Sequence, residues 1–180
     1  MIVAGLAGCN SGSDNASSTG TSTTSASTST GPPRLSPPVE KDPKRVRGLD
    51  PCQMLTPQQL AELTSPRVFG TAPSPWGEPA CAWTSSNVIF DLSPYTKFNG
   101  LDGIYRAQST VKKFQPMQLH GYPAVRTEET PQIRSCTATV GVADDQAFTV
   151  SFSGKKPEFT DACGYVEKIV GMVLQNLPPA

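Results

Sequence analysis

His120 is the only histidine of the 180 residues, so any serine or cysteine nucleophile activated by an imidazole would have to use it. Serines and acids are plentiful, and a Ser–His–Asp or Cys–His site is formally open. Gly121 follows His120 directly at what reads as a strand start, which makes a turn or surface histidine the plainer reading. No Gly-x-Ser-x-Gly elbow is present to lift a serine out of a strand–helix turn. One histidine and cysteines expected to be oxidised do not make a metal site. The acidic pairs Asp144-Asp145 and Glu128-Glu129 could hold calcium. Both read better as solvated turns. No glycine-rich loop cradles a phosphate. The chain is therefore expected to carry no catalytic residues, no metal and no cofactor. An envelope hydrolase built on His120 is the alternative.

Trp76 stands apart. It lies in Pro73-Ser74-Pro75-Trp76-Gly77, and a large aromatic in a stiff loop is a natural contact for a ligand or a partner protein. The plainer reading, a loop tryptophan folded back over the first helix, takes precedence. Trp83 neighbours Cys81 and is expected to pack in the core.

Cys52, Cys81, Cys136 and Cys163 form an even set without a Cys-x-x-Cys pair, the pattern of two disulfides in an exported domain. Three pairings are open. We favour Cys52–Cys81 and Cys136–Cys163, because each joins a helix end to a nearby strand. Each closes a loop of about 30 residues, worth roughly 3–4 kcal/mol in the chain-entropy treatment.

The fifth cysteine has a different setting. Leu6-Ala7-Gly8-Cys9 has the form of a lipobox, preceded by the apolar Ile2, Val3, Ala4 and Leu6. Small residues admit the backbone to a peptidase, and the Cys9 thiol accepts the lipid. The basic n-region is missing, which implies a start placed too late or a truncated leader. The apolar stretch falls far short of the roughly 20 residues of a membrane span, so the reading is anchored rather than spanning. Residues 1–9 are thus expected to be a signal remnant. Residues 10–47 are rich in Ser, Thr, Gly and Pro and are expected to be a disordered tether, because they cannot bury enough apolar surface to offset ordering. A coil of that length spans about 35 Å. Residues 48–180 are expected to form one domain. Lys+Arg and Asp+Glu balance at 15 each, so nucleic acid is not an expected partner. Lys41, Lys44, Arg45 and Arg47 could touch anionic lipid or wall polymer, with a solvated linker the plainer reading.

The elements that must position these residues are legible in part. Thr56, Pro57 and Gln59 make a capping box before a short helix carrying Leu60 and Leu63. Residues 65–79 read as a Pro/Gly-rich loop. Ala80–Thr84 and Val88–Leu92 read as strands. Leu101, Ile104 and Tyr105 have helical spacing that Gly103 weakens. Met117, Leu119, Tyr122, Ala124 and Val125 suggest one or two strands broken at His120-Gly121. Residues 136–142 and 147–152 alternate with period two about Asp144-Asp145, forming a hairpin. Ala162, Tyr165, Val166, Ile169, Val170, Val173 and Leu177 recur at helical spacing, stopped by Pro178-Pro179. The fold class expected is α+β: an antiparallel sheet of five to six strands packed by N- and C-terminal helices.

Asp-Pro-Cys-Gln-Met-Leu-Thr (50–56), Cys-Ala-Trp (81–83), His-Gly-Tyr-Pro-Ala-Val (120–125), Cys-Thr-Ala-Thr-Val (136–140), Asp-Ala-Cys (161–163) and Asn-Leu-Pro (176–178) follow the lipobox and tether in that order. Together they resemble the actinobacterial DUF3558 lipoproteins, whose shared domain has no assigned function. The resemblance covers essentially the whole domain and carries no catalytic residues. It implies a Mog1/PsbP-like α/β sandwich. The resulting expectation is a cell-membrane lipoprotein held to the bilayer by acylated Cys9. Its domain would bind an envelope protein or a small ligand outside the membrane. A structural, wall-associated protein without a discrete ligand is a further reading.

Overall fold

Period-two alternation through the central strands sets the architecture. Along residues 136–140 and 148–152, Cys136, Ala138, Val140, Phe148, Val150 and Phe152 are buried, and the residues between them, Thr137, Thr139, Thr149 and Ser151, face the opposite side. The computed structural model describes residues 32–63 and 67–180. Its strands are β1 (Arg67–Pro73), β2 (Pro79–Thr84), β3 (Val88–Tyr95), β4 (Gln115–Leu119), β5 (Tyr122–Thr130), β6 (Ser135–Ala143) and β7 (Gln146–Gly154). They form one antiparallel sheet in the order β1-β2-β3-β7-β6-β5-β4. The helices are α1 (Pro57–Glu62), α2 (Leu101–Arg106) and α3 (Ala162–Asn176). This is the α+β class expected, with seven strands in place of five to six. The added strand is β1. Its Gly70, Ala72 and Pro73 read as loop, yet Arg67–Pro73 pairs along β2 from Thr84 to Pro79. As an edge strand it tolerates proline, because one of its sides needs no ladder bonds.

The large side chains of one sheet face meet α3. Val166, Ile169, Val170 and Val173 are buried against Phe90, Val140, Phe148 and Val150 in one cluster. Asp161 caps α3 by accepting the Gly164 N–H at 2.7 Å. Thr56 and Gln59 make the anticipated capping box at α1, and Gln59 Nε2 also donates to the Met172 carbonyl on α3 at 3.2 Å. Both favoured disulfides are present: Cys52–Cys81 pins a 3-10 turn (Pro51–Gln53) to β2, and Cys136–Cys163 pins the first turn of α3 to β6. Trp83 is fully buried and stacks on Phe90 with ring centroids 5.0 Å apart. Its Nε1 is buried without a hydrogen-bond partner among the described residues.

The expectation of a disordered tether is corrected over residues 33–47. Pro33–Ala180 is one compact unit, and residues 33–47 lie on the domain as a strap. Hydrogen bonds hold it, together with Val46 buried in the core and Val39 packed against it. The buried Asp102 carboxylate accepts the Leu35 and Ser36 N–H groups at 2.6 and 3.1 Å. Gln146 Oε1 accepts the Val46 and Arg47 N–H groups. Lys44 N donates to Val142, and Arg45 N and Ala180 N join the strap to the C-terminal residues. Val46 itself is 0% exposed. The basic residues are drawn into this contact: Lys41 and Lys44 donate to the His120 and Leu177 carbonyls, and Arg47 pairs with Asp145. The expected signal remnant and residues 10–31 lie outside the described residues. Among the described residues, no helix is long and apolar enough to cross a membrane.

Candidate functional site

On the sheet face away from α3, α2 covers one end, where Leu101 and Ile104 are buried with Val125 and Ala147, and the rest is left open because its side chains are small. Gly70, Ala72, Ala80 and Ala82 come from β1 and β2, Asp91 from β3, and Thr137, Thr139, Thr149 and Ser151 from β6 and β7. They floor a groove of about 960 Å³. Cross-strand register puts Gly70, Ala82, Asp91, Ser151, Thr137 and Glu128 in a single row. At about 4.8 Å per strand, that row crosses the sheet over roughly 24 Å.

The walls are aromatic and aliphatic. Trp76, Tyr95, Phe98 and Ile104 line one side, with Phe69 and Ile89 on the floor's edge. Trp76 stands edge-on to Tyr95 at 5.2 Å, and Tyr95 meets Phe98 at 5.9 Å. The plainer expectation for Trp76 is corrected: it packs on the end of β3, not over the first helix. Two anchors fix it there. Its Nε1–H donates to the Pro94 carbonyl at 2.7 Å. The loop behind it is tied by Glu78, which is 6% exposed and accepts from Thr96 N, Thr96 Oγ1 and Lys97 N. Gly103 explains the weak helix spacing at α2. A Cβ there would collide with the Phe98 carbonyl and come within 3.1 Å of the Tyr95 hydroxyl. The glycine is required for the aromatic wall to stand where it does.

Most polar atoms of the floor are already satisfied. The Thr139 and Thr149 hydroxyls bond each other at 2.9 Å, and Ser93 donates to the Pro79 and Pro94 carbonyls. Asp91 differs. Burial pushes its carboxyl up to about 6, with a hydrogen bond from Ser151 acting the other way. Glu128, at the far end of the row, is paired with Lys112 at 3.0 Å. Burial, reinforced by the Glu78 charge, also raises the Tyr95 phenol, which stays neutral at physiological pH. An acceptor-only carboxylate on an apolar groove floor can receive a donor from a bound molecule or, when protonated, offer one.

The other acids have structural roles. Glu128-Glu129 lie in β5, not in a turn. A bulge between Arg126 and Glu128 turns Thr127 and Glu128 toward the groove. Glu129 pairs with Lys113 and Arg126, and the Lys113 hydrogen bond leads the lowering of its pKa. Asp144-Asp145 do form a turn, and each is paired with a strap arginine, Arg34 and Arg47. Among the described residues no three His, Cys, Asp or Glu side chains converge as a metal site would need.

His120 lies far along the sheet from Asp91, in the two-residue turn between β4 and β5. His120 and Gly121 both have positive φ, 51° and 83°, the geometry of a tight hairpin. His120 Nε2 meets the Glu167 carbonyl at 3.0 Å. Gly171 makes the space, since a Cβ there would stand 2.8 Å from Nε2. The shallow cleft beside the ring is lined by Lys41, Asp42, Lys44 and Tyr122, without a serine.

Sequence reasoning singled out Trp76 but missed the groove and Asp91. A signal was present. An outward sheet face in water ordinarily alternates Lys, Glu and Arg with the core residues. Here that face reads Ala, Ala, Asp, Ser, Thr, Thr, Thr, Ser, which leaves space instead of solvated bulk.

A seven-stranded antiparallel sheet, backed on one face by a long helix and open on the other as an apolar groove, defines a disulfide-bonded α+β domain. Residues 4–176 match the family described as "Protein of unknown function (DUF3558)", and the chain belongs to that family. No curated protein and no solved structure matches the chain.

Proposed function

We propose that this chain is an extracytoplasmic lipoprotein, anchored through acylated Cys9, whose domain binds a small, largely apolar molecule in the groove over the open sheet face. The observation that carries the reading is the groove itself. Its volume of about 960 Å³ lies at the upper end of ligand sites. Apolar walls and a few convergent polar groups are what such sites use. The tether would hold the domain within reach of the envelope, where apolar molecules need a carrier or a sensor. The Mog1/PsbP-like grouping is kept as part of this proposal, supported by the helix-backed antiparallel sheet. The hydrolase alternative has less support, because His120 bonds a backbone carbonyl rather than a serine hydroxyl.

The test uses the full chain carrying Cys9→Ser, so that micelles are not needed, and the neutral apolar dye N-phenyl-1-naphthylamine. Saturable, blue-shifted fluorescence is expected, and Ala82→Trp, which fills the floor, should abolish it. Absence of saturable binding, or binding indifferent to Ala82→Trp, refutes the groove as the site. Anchoring is tested separately. Protein expressed with a complete leader should partition into detergent, and its Cys9→Ser variant should not. Equal partitioning removes the lipid claim.

A further inference from the structure

We infer that the groove selects an apolar ligand carrying one cationic amine, which pairs with the Asp91 carboxylate. This rests on the groove being the ligand site and adds the chemistry of what enters it.

Charge complementarity carries the argument. The groove's lining includes two carboxylates, Asp91 and Glu128, and no lysine, arginine or histidine. Glu128 is compensated by Lys112. Asp91 forms no ion pair among the described residues; the Ser151 hydroxyl is hydrogen-bonded to it. The flanking position on β2 is Ala82, which leaves open space beside the carboxylate and brings no donor. The Thr139 and Thr149 hydroxyls bond each other and Ser93 bonds backbone carbonyls, and a neutral hydroxyl in any case brings no charge to compensate the carboxylate.

A carboxylate accepts only, through two oxygens. A neutral alcohol would fill one lone pair and leave the charge uncompensated among Phe69, Ile89 and Trp76. An ammonium group brings both charge and up to three donors, and charge-assisted hydrogen bonds are about twice as strong as neutral ones. An anionic headgroup would face Asp91 and Glu128 with no counter-ion. The ligand class that satisfies walls and floor together is therefore a cationic amphiphile whose apolar body lies along the aromatic side.

Three probes of equal chain length separate the possibilities: decylamine, decanol and decanoate, each below its micelle concentration. Each is measured by displacement of N-phenyl-1-naphthylamine from the full chain carrying Cys9→Ser. Decylamine is expected to bind at least about tenfold more tightly than decanol, with decanoate weakest. Asp91→Asn should erase the amine preference and leave decanol within about twofold. Glu128→Gln should leave the preference in place, because that charge is already paired. The titratable side chains lining the groove are Asp91, Glu128 and Tyr95. The preference should accordingly fade as pH falls through about 6. If decanol binds and decylamine binds no better, or if Asp91→Asn retains the preference, the inference is overturned while the groove stands. If the dye binds saturably and is lost in Ala82→Trp but none of the three displaces it, the inference is overturned while the groove stands; if the dye itself does not bind in that way, the groove reading falls and takes the inference with it.

Discussion

Asp91→Asn should make the unliganded protein more stable at neutral pH, which is the reverse of what removing a structural carboxylate does. Burial holds the Asp91 carboxyl at about 6 against an ordinary 3.8. The folded state therefore favours the protonated form, and ionisation at higher pH costs stability. By linkage, that cost is absent below about pH 3.8 and grows as pH rises through the interval. It is complete above about 6, where the difference corresponds to roughly 3 kcal/mol. Solvent entering the open groove lowers the realised figure to about 1.5–3 kcal/mol. Asparagine keeps the shape and an acceptor for Ser151 but carries no charge. At pH 8 the variant should melt about 5 °C higher, at 2–4 °C per kcal/mol for a domain of this size. By pH 4 the two curves should nearly coincide. Circular dichroism melts at half-unit pH steps on the full chain carrying Cys9→Ser make the comparison. A variant that is less stable at pH 8, or a gap that stays constant down to pH 4, would refute the reasoning, since neither could come from an ionisation cost.

Asp102→Ala should act in the opposite sense. Burial opposes the charge of Asp102, but the Leu35 and Ser36 amides and the Arg106 guanidinium together hold its pKa below the usual range. Its loss should cost about 2–4 kcal/mol and release the strap, seen as faster tryptic cleavage at Lys41, Lys44 or Arg45; an unchanged digestion pattern would contradict the strap's anchoring. The contribution of Asp102 and Glu129 should be present above about pH 4–4.5 and lost below it, so acid unfolding should begin at higher pH in the Asp102→Asn variant. Replacing Cys136 and Cys163 together by alanine should remove roughly 3–4 kcal/mol and lower Tm by about 10 °C. Non-reducing peptide mapping that linked Cys52 to Cys136 or Cys163 would overturn the topology. Gly103→Ala, a gain of up to about 1 kcal/mol in an open helix, should instead destabilise by more than that, because its Cβ meets the Phe98 carbonyl; a more stable variant by urea titration would show that the wall can yield.

Local patterns were enough for several elements. Thr56 with Gln59, the apolar stripe from Ala162 to Leu177 and the alternation about Asp144-Asp145 each rest on contacts within a turn, a helix or a hairpin, while the four cysteines allow three pairings and only the fold decides for the favoured Cys52–Cys81 and Cys136–Cys163. Other features depended on distant partners. β1 has a weak strand composition, and its pairing with β2 makes it a strand. Residues 33–47 have the composition of a linker, and partners far along the chain, Asp102, Gln146, Val142 and the C-terminal residues among them, hold them to the domain. Asp91 is an unremarkable acid in the chain. It becomes a candidate binding group only when β2 and β7 bring Ala82 and Ser151 beside it on the floor of a groove that Trp76, Tyr95 and Phe98 also line. Period, capping and turn chemistry act over a few residues and can be read from order alone. Burial, and hence the free energy of a charge, depends on which strands become neighbours, and that is decided only when the sheet closes on α3 and leaves its other face open.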